Sequence, residues 1–93
     1  MTGRGGMADT DRCWLVERTY TDRDLVVVVY ATPDGEWMRR KELSASMLER
    51  TTVTAAIEAE SDDLEPVTDP ETRERYAMEA ERVREAHDPN GSV

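Results

Sequence analysis

The segment Leu25-Val26-Val27-Val28-Val29-Tyr30-Ala31 constrains the fold of this chain more than any other. β-Branched and aromatic side chains run through it without a polar break, the pattern of a central strand covered on both faces. Upstream, Cys13-Trp14-Leu15-Val16-Glu17-Arg18-Thr19-Tyr20 shares that preference and reads as a strand, joined to the first run by the polar turn Thr21-Asp22-Arg23-Asp24. Downstream, Pro33-Asp34-Gly35 predicts a hairpin: proline presets φ, aspartate bonds its own backbone and glycine accepts a positive φ. Glu36 to Leu43 then returns as a third strand, and Ser44 to Arg50 reads as a connector. Val53, Ala55, Ile57 and Ala59 alternate with Thr52, Thr54, Ala56 and Glu58, the period of a half-buried fourth strand. A helix through Ala55 to Glu60 competes with it, because alanine and glutamate favour helix.

The last element is written most clearly. Asp69 is placed to cap, Pro70 occupies the first helical position and Glu71 sets a negative charge near the positive end. The helix is expected to run to about His87, where Asp88-Pro89 stops it. Thr72, Tyr76, Ala80, Val83 and His87 share one face at 100° per residue. The expected fold is α+β: an antiparallel sheet of three to four strands followed by one C-terminal helix packed on one face. Residues 1-11 read as a disordered tail, 12-89 as a single domain and 90-93 as a flexible C-terminus.

Charge narrows the setting. The chain carries 21 acidic against 12 basic side chains, a formal net charge of −9, and Lys41 is its only lysine. Such a surplus repels itself in dilute buffer, whereas at about 1 M salt the Debye length falls to roughly 3 Å. Acidic excess, lysine depletion and small apolar residues together point to a salt-rich cytoplasm. Mimicry of nucleic acid is the rival reading, disfavoured because the acids are spread along the chain. No stretch resembles a signal peptide or reaches the roughly 18 apolar residues of a membrane span. The lone Cys13 offers neither a disulfide nor a metal spacing, and no cofactor is implied.

A Pro-Asp-Gly turn pairing Thr32 with Glu36 would set Trp14, Ala31 and Trp37 in one cross-strand row and Leu15, Tyr30 and Met38 in another, on the opposite face. One helix covers one face, and the Trp face is the better candidate to receive Tyr76, Ala80 and Val83. The patch of Leu15, Tyr30 and Met38, flanked by Val28 and Arg40, then remains for a partner: a second copy or an unidentified protein. The alternative is single-stranded nucleic acid, bound by an aromatic and basic platform of Trp14, Trp37, Arg18, Arg39 and Lys41. An enzyme comes third. Cys13 and His87 come from different elements, and Asp62, Asp63 and Glu65 lack the spacing of a calcium loop.

The run Cys13 to Tyr20, the turn Tyr30-Ala31-Thr32-Pro33-Asp34-Gly35-Glu36, and Asp69-Pro70-Glu71-Thr72-Arg73-Glu74-Arg75-Tyr76 through His87-Asp88-Pro89 resemble a group of short proteins from halophilic archaea. The similarity spans about Cys13 to Pro89 and leaves out Met1 to Gly6. It implies salt adaptation and carries no activity. The function expected is that of a small cytosolic protein acting by binding, as a homodimer or an accessory interaction module.

Overall fold

The computed structural model describes residues 10–20, 25–44, 46 and 53–91. Five strands and one helix make up an α+β fold: β1 (Thr10–Tyr20), β2 (Leu25–Ala31), β3 (Trp37–Ser44), β4 (Ala56–Glu60), β5 (Glu65–Pro66) and α1 (Pro70–Ala86). All pairings are antiparallel, in the order β4-β1-β2-β3-β5. The apolar run Leu25–Ala31 is the central strand, and Ala56–Glu60 is a strand rather than a helix. The two-residue β5 is the element beyond the expected three or four strands. The fold also reaches further at both ends than expected. Thr10 and Asp11 pair with Glu60 and Ala59, and the Gly91 and Pro89 carbonyls accept the Ala55 and Ala56 N–H groups at 2.9 and 3.0 Å. The expected turn at Thr21 to Asp24 and most of the Ser44 to Arg50 connector lie outside the described residues.

Two departures from simple pairing decide which side chains meet. The β2–β3 register pairs Ala31 with Met38 and Tyr30 with Arg39, one residue away from the expected pairing. The loop is longer by Glu36. Thr32 exchanges backbone bonds with Gly35 and Trp37, its hydroxyl donates to Asp34 at 2.6 Å, and Asp34 accepts the Glu36 N–H at 2.9 Å. The Glu36 carbonyl is left to take the Val67 N–H at 2.9 Å, which starts β5 along the edge of β3. In β1 the register shifts between Leu15 and Glu17, where Val16 is the extra residue of a β-bulge. Each change moves every later side chain of its strand to the opposite face.

The face toward α1 therefore carries Trp14, Ala31 and Met38 in one row, then Glu17, Val29 and Arg40, then Thr19, Val27 and Glu42. The other face carries Leu15, Tyr30 and Arg39, then Arg18, Val28 and Lys41, then Tyr20, Val26 and Leu43. The expected rows joining Trp14 to Trp37, and Leu15 and Tyr30 to Met38, do not form.

That other face is closed by the sheet itself. β4 and β5 sit at opposite edges, four strand spacings or about 19 Å apart in a flat sheet. From Glu60 to Glu65 the chain spans at most about 17 Å even when extended, and Ser61–Asp63 is coiled into a 3₁₀ turn. The edges must curl toward each other. Cys13, Leu15, Val26, Val28, Tyr30, Leu43, Ala59 and Leu64 form the core inside that curl, with Trp37, Val53 and Ile57 packed against it. The Tyr30 hydroxyl donates to the Thr54 carbonyl at 3.1 Å.

Candidate interaction site

The helix is placed by its cap and by its buried stripe. The Asp69 carboxylate accepts from the Thr72 N–H at 3.0 Å and from its hydroxyl at 2.7 Å. These bonds hold the Asp69 carboxyl below its usual pKa. Tyr76, Ala80 and Val83 are the buried residues of α1, as the period required, while His87 is an exposed C-cap. Tyr76 packs with Val29, Ala31, Val67 and Met38; Ala80 and Val83 pack with Trp14, Ala55 and Ala56. The helix thus runs from the β5 edge toward the β4 edge, over the end of the sheet that carries Trp14 and Ala31. Gly35 lets the hairpin tip lie against it: φ is +74°, and an added Cβ would sit 2.9 Å from the Ala77 nitrogen.

Beyond Tyr76 the same face continues as a groove of about 340 Å³ lined by Glu17, Thr19, Val27, Val29, Met38, Arg40 and Tyr76. Val27 and Val29, only 9% and 5% exposed, close the bottom of the groove, and half-buried Met38 is the apolar side chain it leaves most accessible. The Glu17 rim is braced from within: Tyr76 donates to its carboxylate at 2.9 Å, and the Arg75 guanidinium approaches to 3.7 Å. Burial, together with the Glu17 carboxylate beside it, pushes the Tyr76 hydroxyl pKa up. On the opposite rim Arg40 is 57% exposed and only loosely paired with Glu42, at 3.9 Å. A second apolar patch lies on the outer side of α1, where Met78 is 68% exposed among Ala77, Glu81, Arg82 and Glu85.

The structure divides the expected contact patch. Met38 and Arg40 line the groove, whereas Leu15, Val28 and Tyr30 are buried on the opposite face at 6%, 1% and 4% exposure. Those three are core residues, because the curled sheet encloses the side that one helix could not cover. The expected aromatic platform is divided too. Trp14 is buried beneath α1, while Trp37 is half-buried on the other face. Arg18, Arg39 and Lys41 do share that face, with Arg39 held 3.4 Å from Asp63. Glu17, Thr19, Val27, Val29 and Tyr76 were missing from the expected site. The bulge that turns Glu17 and Thr19 toward the helix leaves no composition signal in β1.

Among the described residues no three histidine, cysteine or acidic side chains converge on a metal position, and no helix is long and apolar enough to cross a membrane. The fold and groove define a small α+β protein with an open, mixed apolar and polar contact surface. The chain belongs to a family of unknown function (DUF7967), whose model matches residues 7–93. No curated protein and no solved structure matches it.

Proposed function

We propose that this is a small salt-adapted cytosolic protein that acts by binding, as a homodimer or an accessory protein–protein interaction module. The observation that carries the reading is the groove beside α1, where half-buried Met38 lies between the charged rims of Glu17 and Arg40, open on the same side as exposed Met78. The net charge of −9 and the single lysine support the salt-rich setting. The test is mass in molar KCl by light scattering, joined to affinity capture from a high-salt lysate with and without nuclease. Self-association, or a protein recovered equally in both lysates, is expected. A monomer that recovers nothing, or only nuclease-sensitive material, overturns the reading.

Single-stranded nucleic acid is the second reading. Its support is the pair of registers β1–β2 and β2–β3, which together gather Arg18, Arg39 and Lys41 with Tyr20 on one face. Buried Trp14 has no part in it. A mobility shift with single-stranded RNA that survives molar KCl and is lost in Arg18→Glu would favour it over a protein partner.

A further inference from the structure

We infer that the occupant of the groove is the outer helix face of a second copy of this chain, in a two-fold dimer where each helix lies on the other's sheet. The inference rests on the binding reading above and names its partner. Glu74, Met78 and Arg82 follow one another at four-residue steps on the side of α1 opposite Tyr76, Ala80 and Val83. Each step advances about 6 Å, so the three span about 12 Å. Across the groove, Arg40 on β3, the Val27 and Val29 floor on β2 and Glu17 on β1 are spaced by about 4.8 Å, or about 10 Å in all. One series reads acid, apolar, base; the other reads base, apolar, acid.

The direction of the helix makes these series meet. α1 starts beside β5, next to β3, and ends over β1 and β4. A two-fold axis running across the strands between two facing sheets keeps that sense while exchanging the covered and open ends. The partner's Glu74 then lies over Arg40, its Met78 over Val27 and Val29, and its Arg82 over Glu17. Both halves of the contact are on the same side of each molecule, so one axis satisfies both grooves at once, as an isologous interface requires. The product is a layer of two helices between two sheets. Self-repulsion between copies of net charge −9 makes the dimer tighter as salt rises, until the Glu74–Arg40 and Arg82–Glu17 pairs are themselves screened.

Sedimentation equilibrium of the full chain in molar KCl tests the assignment. The wild type is expected at twice its 10.6 kDa chain mass. Met78→Asp, Arg40→Glu and Glu74→Arg should each raise the dimer dissociation constant by about tenfold or more. The double variant Arg40→Glu with Glu74→Arg should recover most of the loss, with circular dichroism unchanged throughout. A dimer indifferent to all three single variants would place self-association on another surface, ending this assignment while leaving the binding reading standing. A chain that stays monomeric at millimolar concentration would end it too. If that monomer also captured no protein, the binding reading would fail with it.

Discussion

The hydroxyl of Tyr76 on α1 donates to the carboxylate of Glu17 on β1 across 2.9 Å, tying the helix to the strand just past its bulge. Arg75 stacks over the same ring, 5.4 Å from its centroid, and leans on the same carboxylate. Tyr76→Phe keeps the packing against Val29 and Ala31 and removes only the hydrogen bond. It is expected to cost about 1 kcal/mol, read as a shift in the urea midpoint with an unchanged slope. A variant as stable as the parent would show that the bond is idle.

The same tyrosines set an alkaline limit. Burial raises the Tyr30 pKa, partly offset by its bond to Thr54 and by Arg18; burial and Glu17 raise that of Tyr76. Raised folded values mean that the native state holds its phenolic protons more tightly. Their stabilisation is complete below the unfolded tyrosine pKa of about 10 and is lost as pH rises through the folded values. Unfolding monitored by circular dichroism should accompany tyrosinate absorbance above that pH, with a shallower slope in Tyr76→Phe. Tyrosinate appearing at the free-peptide pH would contradict this.

Tyr30→Glu distinguishes a core residue from a contact residue. Tyr30 packs among Cys13, Leu15, Val28 and Leu64, so a carboxylate there would be desolvated inside the curl of the sheet. The variant is expected to lose its cooperative thermal transition. A folded Tyr30→Glu protein with altered association would restore that face as a docking surface.

Gly35→Ala should be among the costliest small substitutions. The backbone is in the left-handed region, and the new methyl would collide with the Arg73 carbonyl oxygen of α1. A loss of about 2 kcal/mol or more is expected, because strain and the helix contact are both affected. A midpoint shift no larger than that of an exposed-site control would contradict the close approach of turn and helix.

Thermal stability should climb with KCl. Raising salt from about 0.1 M to 1 M shortens the Debye length from roughly 10 to 3 Å and screens the surplus of acids. Melting temperatures measured across that range should rise more steeply in KCl than in a sucrose series of matched osmolality, because sucrose stabilises by exclusion without screening charge. A flat profile would remove the support for a salt-rich setting.

Much of this fold was legible because local chemistry and tertiary placement agree. The Asp69-Pro70 start of α1, its buried Tyr76, Ala80 and Val83, and the central strand Leu25–Ala31 follow directly from residue type and period. The contact site was not legible, for two reasons of one residue each. Thr32, Asp34 and Glu36 settle into a loop longer than Pro-Asp-Gly alone implies, and Val16 is inserted into β1. Neither changes composition, yet each reverses the facing of the residues after it, which moves Met38 and Arg40 to the helix side. The closing of the sheet was hidden as well, because it follows from the shortness of the Ser61–Leu64 link rather than from any single side chain.

The inserted Val16 acts as a gear change within a single strand. Before it, odd-numbered side chains point into the curl, as Cys13 and Leu15 do; after it, even-numbered Arg18 and Tyr20 take that face of the sheet, where both are exposed. The two halves of β1 are thereby released from a common alternation. Removing Val16 would join Leu15 directly to Glu17 in regular alternation, leaving Glu17 and Thr19 on the helix side and abolishing only the bulge and its local twist.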